Sequence, residues 1–268
     1  MKTQKALTPI SVIAPRELCT DGKNVYVSSY TGEVSKIDTL SLQVILKSDV
    51  VGANLEGIAY RQGYIYVCNA WNNDYTYNTN LVKLNAETLQ KVTDIQVVAN
   101  PNQLIADGDE LFLASWGNYI DITGTIQHIA LNDFVTKMAH ATYMAYSERS
   151  KHLYLIGIAY DENWNENYTY TVCGWRSDRQ EALEGEFIKG DEIQSPCAIG
   201  VDPVTRDVFI SSRKKYPNAE GVMTVSYSQD GYVARYTTNG TYVGSYDCGV
   251  NPGTLLFVSH QELQPESD

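Results

Sequence analysis

The sequence predicts a β-propeller, and three observations carry that reading. A unit of four short strands recurs along the chain, no long amphipathic helical pattern interrupts the copies, and Gly-containing hairpin turns fall between apolar runs. Copies start at Pro15, Asn54, Pro101, Ala141, Pro196 and Pro252, so successive starts lie 39, 47, 40, 55 and 56 residues apart. That spacing suits a four-stranded propeller blade of about 40–50 residues. A β-sandwich would also show many short strands, but it would not repeat one unit five times.

Each copy reads as a strand opened by Pro, Asn or Ala, a turn, a strand of the VYV type, a loop, a third strand and a fourth. The clearest copy is PRELCTDGKNVYVSSYTGEVSKIDTLSLQVILKSDV from Pro15. The copies from Ala141 and Pro196 are looser, and the sixth stops after NPGTLLFVS. Asp21-Gly22, Gln62-Gly63, Asp107-Gly108 and Asn239-Gly240 are the hairpin turns, because Gly tolerates positive φ and an Asx side chain bonds its own backbone. Five full blades plus a partial sixth leave a ring unclosed. We therefore expect 1–268 to be a single propeller domain, truncated at its N-terminus, of a protein with about seven blades. TPISVI (8–13) and NPGTLLF are expected as strands beside one gap, where unpaired edges favour self-association.

With 43% hydrophobic residues in 268, the chain can bury a substantial core. No run approaches the roughly 18 apolar residues of a membrane helix, and MKTQKALTPI lacks the apolar stretch of a signal peptide. Twenty Lys and Arg against 32 Asp and Glu give a net charge of −12, which repels phosphate backbones and argues against nucleic acid as a partner. Twenty Tyr and four Trp beside five Phe favour rings that keep a polar atom at an interface. The five cysteines follow no disulfide or zinc spacing and read as small buried hydrophobes.

The repeats resemble those of YVTN-type, YncE-like β-propellers of the Bacteroidetes surface-protein kind. The resemblance rests on Tyr66-Val67-Cys68-Asn69, the weaker Tyr26-Val27-Ser28-Ser29, the turns at Asp38–Leu42 and Asn85–Leu89, and the hairpin Ile199–Phe209. It implies an exported protein at the cell surface or in the periplasm, often a lipoprotein encoded beside nutrient-uptake systems, with one branch binding cobalamin. An outer-membrane transporter is the partner it suggests. The lipobox cysteine of that family is absent here, and the fourth copy is degenerate.

In an up-and-down blade all second-to-third strand loops leave by one end. Those loops are the unusual ones: residues 68–80, 114–124, 158–170 and 211–221, where rings alternate with Asn, Asp and Thr. This is the composition of a surface that holds a polar ligand by stacking and hydrogen bonds. The candidate ligand-binding residues are Trp71, Asn72, Tyr75, Tyr77, Trp116, Asn118, Tyr119, Asn163, Trp164, Tyr168 and Tyr216. Trp71, Trp116 and Trp164 are expected on one face, with Tyr75, Tyr119 and Tyr168 near them.

Catalytic patterns are missing. The four histidines show no metal or general-base spacing. Asp161–Asn167 begins like a calcium loop, but Glu166 stands where Gly is needed and Val172 where a bidentate Glu is needed. No resident cofactor is read. The sequence therefore points to a non-catalytic propeller that captures a small polar molecule, a cobalamin-like cofactor or a glycan. A protein-docking scaffold, which would present a flat apolar patch, is the first alternative. A lactonase- or glycosidase-like enzyme, with carboxylates gathered at the central channel, is the second.

Overall fold

The computed structural model describes residues 8–162, 165–176 and 179–258. It is all-β, with no helix among these residues, and its five four-stranded antiparallel sheets are propeller blades. The chain divides into two compact units, Thr3–Thr142 and, for the described residues, Tyr143 onward. The first unit holds three blades. These are β1 (Pro15–Thr20) to β4 (Gln43–Lys47) through β2 (Asn24–Ser29) and β3 (Val34–Asp38), then β5 (Asn54–Arg61), β6 (Tyr64–Trp71), β7 (Tyr77–Asn85) and β8 (Lys91–Gln96), then β9 (Pro101–Asp107), β10 (Glu110–Ser115), β11 (Thr125–Ile129) and β12 (Val135–Ala139). In the second unit, β13 (Tyr143–Ser147), β14 (His152–Tyr160), β15 (Glu166–Arg176) and β16 (Arg179–Glu186) form one blade. The last blade is β17 (Ser195–Val201), β18 (Val208–Arg213), β21 (Asp230–Tyr236) and β22 (Tyr242–Val250), with a small hairpin of β19 (Lys215–Pro217) and β20 (Met223–Val225) inserted after β18.

Both faces of an inner blade are buried, which explains why the VYV strands read as continuous apolar runs. Side chains alternate across the sheet. In β6, Ile65 and Val67 join Tyr26, Val34 and Leu55 between the first and second blades, whereas Tyr66 and Cys68 join Leu111, Leu113 and Ile129 between the second and third. In the second unit Tyr154, Ile156, Tyr170, Ile199, Val208 and Ile210 do the same.

The turns form as the Gly pairs predict. Gln62 and Gly63 both take positive φ, 51° and 79°, the geometry of a tight primed hairpin turn. The two terminal segments differ from expectation. TPISVI forms no strand: Pro9 has no N–H to give a ladder, and the chain is instead tied by Ser29 Oγ to Ile13 O and by Tyr30 N to Ala14 O. NPGTLLF also forms no strand, yet it runs along the last blade: Ser211 Oγ donates to Pro252 O, and the Phe257 ring lies 5.3 Å from that of Phe209. Ser28 makes the matching bond to Glu56 O, so this segment follows β18 as β5 follows β2.

A polar clip joins consecutive blades of the first unit. Tyr26 faces Lys36 across β2 and β3, and both reach the next blade's turn: the phenol oxygen lies 3.1 Å from Ala86 O, its one proton shared with Asp21, and Lys36 Nζ donates to the same carbonyl at 3.1 Å. One blade on, Tyr66 faces Lys83, whose ammonium sits 2.8 Å from Asp133 in the β11–β12 turn. Arg61, 1% exposed, adds bonds to Ile129 O, Ala130 O and Tyr66 Oη. At the same positions the third blade pairs Phe112 with His128, which bonds Glu110 within its own blade at 2.6 Å.

Breaking the more buried clip should cost more than breaking the exposed one. Asp133→Asn keeps the left-handed turn but leaves the Lys83 ammonium, 10% exposed, without its carboxylate. A loss of about 2–4 kcal/mol is expected. Glu87→Gln, which removes an 87% exposed partner of Lys36, should stay within about 0.5 kcal/mol. Urea unfolding of the two variants checks the order.

Asp21 supplies a pH test. Burial pushes its carboxyl up, but donors from Asn24, the Lys23 and Asn24 N–H groups and the Tyr26 phenol outweigh that and hold it below its ordinary value of 3.8. A depressed folded value stabilises above the unfolded value and is lost as pH falls through the folded one. The stability gap between wild type and Asp21→Asn should therefore be full above the ordinary carboxylate range and narrow below it, as read by urea midpoints along an acid series.

Candidate functional site

Four hairpins share one turn. In 72–76, 130–134, 218–222 and 237–241 the first residue donates its N–H to the fifth residue's carbonyl at 2.8–2.9 Å, and the fourth donates back to the first at 2.9–3.0 Å. The fourth residue then needs positive φ, as in a three-residue hairpin loop that closes through a left-handed position. Gly221 and Gly240 fill it at 78° and 81°, and Asp133, which serves the clip, fills it at 64°. In the second blade a tyrosine stands there: Tyr75, with φ 65°.

Tyr75 is 80% exposed, and its ring lies against that of Trp71 at 5.7 Å with planes 5° apart. Tyr30 meets the Trp71 ring edge-on at 5.6 Å. The Arg16 guanidinium covers the Tyr30 ring at 4.4 Å and bonds Glu56 through Nε at 3.0 Å, and the Tyr30 phenol donates to the same carboxylate. Glu56 is buried on β5, and Glu17 on β1 occupies the same place in its own copy. Burial, and then repulsion from Glu56, push the Glu17 carboxyl up. The result is a ring platform open to solvent at Tyr75 and braced from behind by a cation and a carboxylate.

A second pair of rings spans the second and third blades. Tyr77 meets Tyr119 at 6.0 Å and 64°. Tyr119 also has positive φ, 62°. An open cleft of roughly 500 Å³ is lined by Thr79, Gln96, Val98, Ile122, Val135 and Lys137, within the range of small-molecule sites.

The structure corrects parts of the expected site. Trp71 and Tyr77 are not loop residues; they end β6 and start β7 and face each other across the ladder, because the strands continue through most of 68–80. Tyr168 likewise lies on β15 opposite Ile158, its phenol donating to Glu166, and Tyr216 lies on β19 opposite Thr224. Asn72 and Asn118 commit their amides to the loops. Asn72 Nδ2 donates to Thr76 Oγ1 and Asn78 Oδ1, and Asn118 Oδ1 accepts from the N–H groups of Ile120, Asp121 and Ile122. Trp116 follows β10, half-buried, its main-chain N–H donating to Asn100 O. Asn163 and Trp164 lie outside the described residues. Trp71 with Tyr75 and Tyr77 with Tyr119 are thus the expected residues brought into contact. Arg16, Tyr30 and Glu56 were missed, although a carboxylate at the third place of successive copies, Glu17 and Glu56, was a readable signal.

Among the described residues no three His, Cys, Asp or Glu side chains converge as a metal site would require. Burial pushes the Cys19 thiol up to about 12 and Cys173 to about 11, away from nucleophilic thiolate chemistry.

No family model matches the sequence. No curated protein matches it either. Solved structures do resemble the fold. Dihydro-heme d1 dehydrogenase NirN in complex with DHE superposes with a TM-score of 0.58 at 13% identity, over 87% of this chain and 46% of that one, so this chain spans less than half of that protein. The Cps50 (Swd1) β-propeller domain of Myceliophteria thermophila gives a TM-score of 0.54 at 11% identity, over 90% of this chain and 88% of that one. At these identities the likeness is one of fold.

The bracing of the platform can be tested by titration. Burial first, then the bond and charge of Glu56, push the Tyr30 phenol up to about 12. Difference ultraviolet titration against Tyr30→Phe should isolate one phenol ionising there. In a Glu56→Gln background that phenol should ionise at lower pH, since the charge opposing phenolate is gone.

Proposed function

We propose that this propeller is a non-catalytic binding protein that captures a small polar ligand with a planar or sugar-like face, and that the Trp71–Tyr75 platform is where the ligand stacks. One observation carries the reading: a tyrosine occupies a left-handed position that two other copies of the same turn give to glycine, and its ring is exposed. A bulky residue there costs about 1–2 kcal/mol, and a ring that is 80% exposed recovers only part of this through its stacking on Trp71. Strain held at an exposed aromatic is a mark of function when the fold does not recover it in full. The resemblance to YVTN-type surface propellers agrees with a ligand captured outside the cytoplasm for uptake, and NirN, of like fold, is known in complex with DHE.

Protein docking is the second reading, and the hairpin β19–β20 favours it, since Val222 and Met223 at its far end are 58% and 57% exposed.

Tyr75→Gly separates a binding ring from a structural one. Thermal unfolding should be unchanged or shifted upward, by up to about 1 kcal/mol of added stability, while binding of a cobalamin or oligosaccharide panel, read by calorimetry, is lost. Trp71→Ala should remove binding too, with some loss of stability because Trp71 is half-buried. A fall in the melting temperature of Tyr75→Gly, or binding equal to wild type, would reject the platform.

A further inference from the structure

The end of β18 carries a cation that none of the foregoing uses. Arg213 donates through Nε to Asn251 Oδ1 at 3.0 Å and through one terminal nitrogen to Ser195 Oγ at 3.3 Å, and its guanidinium carbon lies 4.9 Å over the Tyr227 ring. Both acceptors are neutral. Arg16, Lys36, Lys83, Lys91, Lys214 and Arg235 each hold a carboxylate, and Arg213 has none among the described residues. Its frame is nonetheless rigid: Ser195 is 1% exposed, and Asn251 Nδ2 also donates to Tyr227 O at 3.1 Å, tying the residue under the guanidinium to the residue that bonds it. A guanidinium held by neutral groups, with no bond from its second terminal nitrogen to any described residue, presents a planar donor edge to an oxyanion.

We propose that Arg213 anchors a second ligand site on the last blade, which takes a small hydroxycarboxylate such as a uronic acid. The carboxylate would lie against the open edge of Arg213, with Lys215, two residues along and with no carboxylate partner among the described residues, adding positive charge. Charge bears on the size of the ligand: a chain of net −12 repels polyanions, so a small monoanion suits this cationic spot better than a polyanion does. The Tyr168 phenol, bonded to Glu166 and within hydrogen-bond reach of the Ser195 hydroxyl that Arg213 also holds, selects for hydroxyls beside the carboxylate, since Glu166 accepts a donor and repels a second carboxylate. The site stands apart from the argument for the Tyr75 platform, and Tyr75→Gly leaves it intact.

Calorimetry and NMR titration of the whole chain with glucuronate, glucose, acetate and inorganic phosphate test the proposal. Glucuronate should bind wild type in the millimolar range or tighter, weaken with added salt, and lose at least about tenfold in Arg213→Gln. Glucose, which lacks the carboxylate, acetate, which lacks the hydroxyls, and phosphate, which the guanidinium can also grip but which lacks the ring hydroxyls and carries a second charge that Glu166 repels, should all bind more weakly than glucuronate. Tyr227→Ala removes a ring that is 66% exposed; it should leave the melting temperature in place and weaken glucuronate several-fold by freeing the guanidinium. That variant keeps the test valid should Arg213→Gln unfold. Wild type that ignores glucuronate, variants that bind it as wild type does, or acetate or phosphate binding as tightly as glucuronate would overturn the proposal.

Discussion

The first unit is organised by a cross-strand pair, an aromatic on the second strand facing a cation on the third. Tyr26 with Lys36, and Tyr66 with Lys83, both reach forward to the turn between the third and fourth strands of the next blade. A lysine buried between sheets is tolerable only if its three donors are met. The turn supplies the acceptors as backbone carbonyls or as Asp133. Apolar packing between blades supplies most of the buried contact, and the clip adds directional bonds to it. Where the clip is absent, as at Phe112 and His128, the polar group closes on its own blade.

The fold was legible because its determinants are local. The alternation in VYV strands, the Gly turns and the repeat length follow from backbone geometry within one copy, and all five blades formed where the copies were placed. The terminal segments were read less well, since a strand needs a partner as well as a pattern, and Pro9 denies even the donor.

The site was legible only in part, and for a physical reason. Ring-rich composition pointed to Trp71, Tyr75, Tyr77 and Tyr119, which do meet in pairs. Composition does not say where a strand stops, so residues given to loops proved to be ladder residues. It also does not separate an amide facing solvent from one holding its own loop, as Asn118 does with three N–H groups. Arg16 and Glu56 lie 40 residues apart, on the first strands of two blades, and a contact of that kind belongs to the packing of copies rather than to any one of them.

The turn shared by 72–76, 130–134, 218–222 and 237–241 has an evolutionary consequence. Its closure uses main-chain groups, with the first and fifth residues bonded to each other whatever lies between. The tip is thereby uncoupled from the frame, and the left-handed slot becomes a socket in which glycine is the resting state and another side chain an installed tool. Asp133 is such an installation for cohesion, Tyr75 for contact with the outside. New recognition can be acquired one substitution at a time, at a cost of about 1–2 kcal/mol each, without moving a strand. A protein built from duplicated blades carries several such sockets, and their contents can drift in specificity while the sheets beneath them stay unchanged.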